Sequence, residues 1–135
     1  MADVAITAAN VISVSGSIDR SKNAGATISQ GQCVYLDSSN EWQLTDVDLS
    51  AAAKACAGVS LNSALDGQPL AVQKNGLMNF GAIFTEGLTY MCSDTAGGIG
   101  PSADTGSGDD AIILGNAVTT SQLRIAIVDS GGSVA

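Results

Sequence analysis

An internal repeat is the feature that most constrains what this chain can fold into. The segment 25–36 reads Gly-Ala-Thr-Ile-Ser-Gln-Gly-Gln-Cys-Val-Tyr-Leu, and the segment 81–91 reads Gly-Ala-Ile-Phe-Thr-Glu-Gly-Leu-Thr-Tyr-Met, one residue shorter before its tyrosine. Downstream, 57–60 matches 114–118, and each is followed by a polar turn and a closing strand. The order predicts two copies of about 55 residues that share one core, because neither copy alone buries enough apolar surface.

The repeated positions are expected to be structural rather than catalytic. In each copy a glycine turns the chain, and the neighbouring Ser or Thr hydroxyl can bond backbone within that turn. The tyrosine then adds bulk to a core with few aromatic residues. The structural positions of the motif are Gly31, Tyr35, Gly58, Gly87, Tyr90 and Gly115.

The hydrophobic period along the chain is two, which is typical of β-strands. In the segment 11–18, Ile12, Val14 and Ile18 fall on one face and serines on the other, so a half-buried strand is predicted there. A turn at Asp37–Asn40 joins two further predicted strands into a hairpin. The two strands of this hairpin are 33–36 and 41–44. The further predicted strands are 57–61, 70–73, 77–84, 89–92, 111–118 and 123–128.

These elements predict an all-β fold, a small sandwich or barrel-like domain built from two hairpin-rich repeats. Residues 1–24 are expected to form a strand-forming N-terminal arm, and residues 25–135 the β-rich domain, with the repeats at about 25–80 and 81–130. One short helix is predicted at Asp48–Gly58, an alanine-rich segment with Asp48 or Ser50 as its N-cap and Gly58 as its stop.

Composition excludes several functional classes. The chain has 5 basic and 13 acidic residues, a net charge of −8 and no histidine. We therefore expect neither nucleic acid nor an anionic membrane surface as a partner. No apolar run approaches the ~20 residues of a spanning helix, and the first residues show no basic-then-apolar secretory pattern, so synthesis in a cytoplasm is expected. Without histidine there is no Ser-His-Asp triad, so catalytic residues and cofactors are not expected.

The cysteines and one acidic loop are the remaining candidates for chemistry. Cys33, Cys56 and Cys92 are widely spaced, form no C-x-x-C pair and are interpreted as three buried thiols without a metal. The segment Asp104–Asp110 is interpreted as a solvated hairpin loop. A calcium loop is the alternative there, although the spacing of an EF-hand and its terminal glutamate are missing.

The repeat resembles the capsid decoration, or cement, proteins of tailed bacteriophages. The residues that carry the resemblance are Ala-Thr-Ile-Ser-Gln-Gly-Gln-Cys-Val-Tyr-Leu-Asp at 26–37 and Ala-Gly-Val-Ser at 57–60, with the same order in 87–91, 95–99 and 114–117. The resemblance covers roughly residues 25–130, so the N-terminal arm lies outside it.

The resemblance implies a structural protein on the outer surface of the virion, made in the bacterial host cytoplasm. Its implied partner is the major capsid protein, at junctions between subunits, where such proteins often bind as homo-trimers and clamp the shell against packaged DNA. Members of the family commonly use an N-terminal segment to reach neighbouring subunits.

Two alternatives stay open for the residues that would contact a partner. The arm either adds a strand to a neighbour's sheet edge or pairs inside its own domain. Trp42 either fills the core or anchors an interface. The candidate partner-binding residues are Val4, Ile6, Val11, Ile12 and Trp42.

A second function is also open from the sequence. A β-sandwich can serve as a carbohydrate or host-surface binding module of a phage head fibre, and an exposed aromatic platform would distinguish that function. A third alternative, a small hydrolase that uses Asp or Cys, lacks any visible nucleophile and base.

Overall fold

The computed structural model describes residues 3–46, 56–93, 95–101 and 110–133, and only the backbone at 110–111 and 129–133. A short 3-10 helical turn at Ala8–Asn10 precedes the strands. The strands are β1 (Ile12–Ser13), β2 (Ile18–Asn23), β3 (Cys33–Leu36), β4 (Trp42–Leu44), β5 (Gly58–Ser60), β6 (Pro69–Gln73), β7 (Gly76–Asn79), β8 (Thr89–Cys92), β9 (Ile99–Pro101), β10 (Asp110–Ala117) and β11 (Gln122–Ser133).

The described strands form two antiparallel sheets, so the predicted all-β sandwich is confirmed. The first sheet has the order β2-β6-β5-β3-β4, and the second sheet has the order β1-β7-β11-β10-β8-β9. Strands of the first half of the chain fill the first sheet, and those of the second half fill most of the second. The series β4-β3-β5-β6 in one sheet has the same order along the chain as β9-β8-β10-β11 in the other.

The two halves also share local hydrogen bonds at the glycines of the sequence motif. Gly31 and Gly87 both have positive φ, 90° and 86°, and each lies two residues before its strand, β3 or β8. Gly31 N donates to Ser60 O at 2.9 Å, and Gly87 N donates to Ala117 O at 2.8 Å. Each glycine therefore joins the turn before one strand to the end of the neighbouring strand.

The strand register differs from the sequence alignment by one residue. Gly58 pairs with Val34, whereas Gly115 pairs with Tyr90. The residue that corresponds to Tyr90 in space is thus Val34 and not Tyr35. Tyr90 is buried, and Tyr35 is only half-buried.

The chain crosses between the sheets at a corner where two strand pairs bend together. β1 pairs with β7 in the second sheet, and β2 pairs with β6 in the first. At the bend Gly16 (φ 116°) and Gly76 (φ 91°) lie against each other, and a Cβ on Gly16 would come within 2.0 Å of Asn75 O. The single strand predicted at 11–18 is therefore wrong, because the glycine contact splits it between two sheets.

A buried glutamine binds the backbone at this corner. Gln73 is fully buried at the end of β6. Its Nε2 donates to Ser15 O at 2.6 Å and also to Asn75 O, and its Oε1 accepts a hydrogen bond from Ser13 Oγ at 2.6 Å. The side chain satisfies carbonyls on both crossing segments, which sheet pairing leaves free at a bend.

Two apolar clusters make the core. The larger cluster lies between the sheets and joins Cys33 and Val59 of the first sheet to the inward residues of the second. The smaller cluster covers the opposite face of the first sheet and includes Val34 and Trp42. The first sheet is therefore buried on both faces.

Several local predictions differ from the structure or lie outside the residues that it describes. The predicted helix at Asp48–Gly58 lies mostly outside the described residues, and its described end is not helical, since Gly58 begins β5. Residues 104–109 of the acidic loop are also outside, and Asp110 begins β10. The strand predicted at 77–84 stops at Asn79. The polar edge strand β2 and the short β9 were not predicted, because their sequences lack apolar alternation.

The predicted hairpin of β3 and β4 is confirmed, with Leu36 opposite Trp42. Asp37 organises its turn, because the carboxylate accepts hydrogen bonds from the backbone N–H groups of Ser39 (2.9 Å) and Glu41 (3.0 Å) and from Gln43 Nε2 (2.9 Å). The Gln43 amide first, and the Glu41 N–H next, hold the pKa of Asp37 below its usual range.

We expect Asp37→Ala to lower the free energy of unfolding by less than about 1 kcal/mol at neutral pH, because the group is half-buried and its turn is solvated. A depressed folded-state pKa adds stability above the unfolded pKa of about 3.9 and loses it as pH falls through the folded value. The difference between wild type and variant in urea unfolding should therefore shrink below pH 4. A difference that grows on acidification would contradict this role.

We expect Gln73→Leu to lower the free energy of unfolding by about 2 kcal/mol, because three part-buried hydrogen bonds, to Ser13, Ser15 and Asn75, are lost. Urea unfolding monitored by Trp42 fluorescence measures the loss. The neighbouring exposed Lys74→Ala is the matched control and should stay within about 0.5 kcal/mol of wild type. Equal losses in the two variants would remove Gln73 from this role.

Candidate functional site

The N-terminal arm, predicted to contact a partner, pairs within the chain in this structure. Val4 N donates to Ile99 O at 2.8 Å, so the arm runs beside the edge strand β9. Val4 and Ile6 are half-buried against the larger cluster, and Val11 is buried in it. Of the four arm candidates only Ile12 is mainly exposed, at 61%. The N-terminal arm thus pairs within its own chain in this structure, and its contact with a neighbouring protein stays a prediction.

Trp42 lies in the core and not on the surface. It is 1% exposed at the start of β4 and belongs to the smaller cluster. Its Nε1 has no hydrogen-bond partner within the described part of the chain. Of the two sequence alternatives, the structure therefore shows core filling.

A partly exposed face with several aliphatic side chains is found on the second sheet, and it includes one predicted partner-binding residue, Ile12. We call it the outer face and define it by Ile12, Val14, Leu77, Arg124 and Val128. Leu77 pairs with Arg124, and Val14 N donates to Leu77 O at 2.9 Å, which places these residues across neighbouring strands. Residues two apart share a face of a strand, so Ile12 joins Val14. In β11, Leu123, Ile125 and Ile127 pack into the larger cluster, so Arg124 and Val128 face outward. Ile12 and Val128 are 61% and 53% exposed.

The sequence did not predict the outer face, because apolar residues stand at both alternate sets of positions in the strand 123–128. Leu123 and Ile125 are buried, whereas Ala126 and Val128 are exposed. The only sequence signal is the absence of polar residues at the outward positions other than Arg124. That pattern is the same for a strand that is buried on both faces.

The structure brings the three cysteines together, although their spacing in sequence gave no such indication. The Sγ atoms of Cys33, Cys56 and Cys92 all lie within 4.8 Å of one another. Cys33 comes from β3 in the first sheet, Cys92 from β8 in the second, and Cys56 from the segment just before β5. All three are free thiols; Cys33 and Cys92 are buried, as predicted, and Cys56 is half-buried. We call this group the thiol cluster.

Interactions among the thiols make the three sulfurs unequal. The thiol of Cys33 first, and that of Cys92 next, hold the pKa of Cys56 below its usual range. The interaction with Cys56 raises the pKa of Cys33, and the interactions with Cys33 and Cys56 raise that of Cys92. The two neighbouring thiols therefore stabilise the thiolate form of Cys56.

Two polar side chains without full hydrogen bonding border the thiol cluster. Thr45 is 1% exposed, and Thr45 N donates to Cys33 O at 2.9 Å. Its Oγ1 makes no well-formed hydrogen bond to a described residue, although the hydroxyl lies near enough to help lower the pKa of Cys56. Asp3 accepts a hydrogen bond from Ser93 Oγ at 2.9 Å, and its buried Oδ1 has no partner among the described residues.

The aromatic residues do not form a surface platform. All five lie within the described ranges; Trp42, Phe80, Phe84 and Tyr90 are buried, and Tyr35 is half-buried. Phe84 packs between Phe80 and Tyr90, with ring centroids 5.2 Å and 4.8 Å apart. Tyr90 Oη accepts a hydrogen bond from Thr85 N at 2.8 Å. The exposed stacking surface that a sugar-binding module needs is therefore not formed by these side chains.

Comparison with known proteins adds no family assignment. No family model, curated protein or solved structure matches the chain. Among the residues described, no helix is both long enough and apolar enough to cross a membrane.

We expect Gly31→Ala to be more destabilising than Gly87→Ala if the arm is docked in solution as it is here. Both positions have positive φ and incur a similar backbone strain of ~1 kcal/mol. A Cβ at Gly31 would also come within 2.8 Å of Val11 and 2.9 Å of Ile6, whereas a Cβ at Gly87 meets no atom within 4 Å.

Thermal and urea unfolding of the two glycine variants measures this difference. Repeating the pair in a background that carries Ile6→Ala should reduce the excess cost at Gly31, since one of the two closest arm side chains is then shortened. Equal costs at the two glycines in the wild-type background would mean that the arm leaves this position in solution.

Proposed function

We propose that this protein is a capsid decoration protein that binds the outer surface of a bacteriophage head and stabilises the shell. Its partner is the major capsid protein, and it assembles as a homo-trimer on the capsid after synthesis in the bacterial host cytoplasm. The sequence resemblance of residues 25–130 supports this function, and the all-β fold is compatible with it.

The observation that carries the proposal is the outer face of the second sheet. The first sheet is covered on both sides by apolar clusters, whereas the second sheet leaves Ile12, Val14 and Val128 exposed. The strand register places Arg124 and the amides Asn79, Gln122 and Asn116 on the same face beside these aliphatic side chains. Exposed apolar side chains that are rimmed by polar residues commonly mark a site of protein contact.

The edge strands of the two sheets also favour contact with a partner through the second sheet. The edge strand β2 of the first sheet carries Asp19, Arg20 and Lys22, with Lys22 Nζ 2.9 Å from the Asp19 carboxylate. Charged residues on an edge strand oppose pairing with another chain. The edge strand β1 of the second sheet has only two residues and borders the outer face. A neighbouring protein is therefore better accommodated at the second sheet.

The carbohydrate-binding alternative receives no comparable support. Its distinguishing feature is an exposed aromatic platform, and the aromatic side chains are buried or half-buried. The exposed large apolar side chains are aliphatic: Ile12, Val14, Leu65, Leu88 and Val128. Aliphatic side chains suit contact with a protein surface better than stacking on a sugar ring.

The proposal is tested by binding to expanded heads assembled from the major capsid protein of the same genome. Wild-type protein should co-sediment saturably and raise the melting temperature of the heads by mass action. The double variant Ile12→Asp, Val128→Asp should bind at least about tenfold more weakly, a loss of roughly 1.4 kcal/mol.

The matched control is Leu65→Asp, because Leu65 is 59% exposed but lies in the loop before β6 of the first sheet. It should bind as wild type does. Absence of wild-type binding to expanded heads would refute the proposed function. Equal weakening by Leu65→Asp would show that the outer face is not the contact surface.

A further inference from the structure

We propose that the thiol cluster is a binding site for a single thiophilic d10 metal ion, with Zn²⁺ as its type, held by the sulfurs of Cys33, Cys56 and Cys92. This inference is independent of the capsid function proposed above. It rests on the convergence of three thiols from distant parts of the chain and on a buried hydroxyl beside them.

The cluster has nearly the dimensions of a metal site. A tetrahedral zinc ion binds thiolate sulfur at about 2.3 Å, so two sulfurs on one ion lie about 3.8 Å apart. The three Sγ atoms lie within 4.8 Å of one another, so each sulfur needs a shift of only ~1 Å or less to reach that spacing. Cys56 precedes β5, and its thiol donates to Gly58 O at 3.6 Å, a contact whose proton is lost when the sulfur binds a metal.

The donor set selects the class of metal. Three sulfurs without histidine favour soft ions such as Zn²⁺, Cd²⁺ or Cu⁺ over Mg²⁺ and Ca²⁺, which prefer oxygen ligands. Three protein ligands leave the fourth tetrahedral position of zinc for a water molecule or another oxygen. On binding, three S–H bonds lose their protons to solvent and three S–Zn bonds form. No atom changes oxidation state.

Thr45 supplies the second observation that points to a ligand. Its side chain is 1% exposed, it adjoins Cys33 through the backbone hydrogen bond Thr45 N to Cys33 O, and its Oγ1 has no hydrogen-bond partner of good geometry among the described residues. A buried hydroxyl normally has an acceptor. A metal-bound thiolate is a stronger acceptor than a thiol, so metal binding gives the Thr45 O–H a partner that orients the sulfur.

The charge around the cluster also favours a cation. Asp3 reaches this region through its hydrogen bond to Ser93, the residue after Cys92, and its second carboxylate oxygen, Oδ1, is buried without a partner in the described ranges. Three thiolates and one Zn²⁺ have a net charge of −1, so a bound ion offsets most of the charge that ionised cysteines would bury. The ion would also connect β3 of the first sheet to β8 of the second.

The experiment uses the full chain, reduced and kept under argon, titrated with Zn²⁺ against a chromophoric chelator and with Cd²⁺ in the ultraviolet. We expect one ion per chain, thiolate-to-metal charge-transfer absorption corresponding to three sulfurs, release of up to three protons and a higher melting temperature. Excess Mg²⁺ or Ca²⁺ should not compete.

Three variants distinguish a site of three sulfurs from metal binding elsewhere on the chain. Cys56→Ala should abolish the charge-transfer band, and Thr45→Val should weaken zinc binding by roughly 10-fold or more while one ion per chain is kept. Asp104→Asn with Asp109→Asn, in the acidic loop, is the control for carboxylate binding and should bind as wild type does. Circular dichroism of each metal-free variant checks that it is folded.

The proposal is overturned by any of three results. The first is that the wild-type chain shows no charge-transfer band. The second is that Cys56→Ala retains the band. The third is that the double variant Asp104→Asn, Asp109→Asn loses zinc binding. If Cys56→Ala does not fold, the number of thiolates per Cd²⁺ in the wild type still decides the outcome, because a value below three contradicts the site. Ready oxidation to one disulfide with no metal binding when reduced would assign the cluster to redox chemistry.

Discussion

The corner at which two strand pairs pass from one sheet to the other depends on the buried amide of Gln73. At the bend between β1 and β2 and between β6 and β7, backbone carbonyls lose their partners in the sheet. Gln73 satisfies Ser15 O and Asn75 O and accepts from Ser13 Oγ, while Gly16 and Gly76 allow the two backbones to touch. An unpaired buried polar group costs roughly 1–3 kcal/mol, so this corner sets how the sheets meet.

The relation between the two sheets explains why one surface is available to a partner. Corresponding strands have the same order in both sheets, yet their surroundings differ. The turns around Ile28 and Ala64 cover one face of the first sheet, and the second sheet covers the other. The outer face of the second sheet has no such cover among the described residues. The same order of strands thus gives a first sheet that is buried on both faces and a second sheet that is exposed on one face. The proposed contact with the capsid is through the exposed face of the second sheet.

The meeting of the sheets also creates the thiol cluster. Cys33 and Cys92 project from different sheets into the larger cluster, and Cys56 approaches from the segment before β5. The contact of Gly31 with Val11 and Ile6 of the arm belongs to the same half of the core. The arm, the cluster and the inward faces of both sheets therefore form one packed unit, and a change in any of them should be felt by the others.

The local elements were readable from the amino-acid sequence. Short apolar runs bounded by turn residues predicted β3 and β8 to the residue, β4, β5, β6 and β10 were predicted to within one residue at each end, and the repeat predicted the turn glycines Gly31 and Gly87. Strand pattern and turn chemistry are readable because they depend on neighbours in the chain. Three other features depend on the packing of the sheets: 11–18 divides between two sheets, Trp42 is buried while Val128 is exposed, and three distant cysteines meet. Those features depend on which faces of the two sheets pack against each other. Contacts between residues far apart in sequence decide that packing, and the hydrophobic period of a single strand does not predict it.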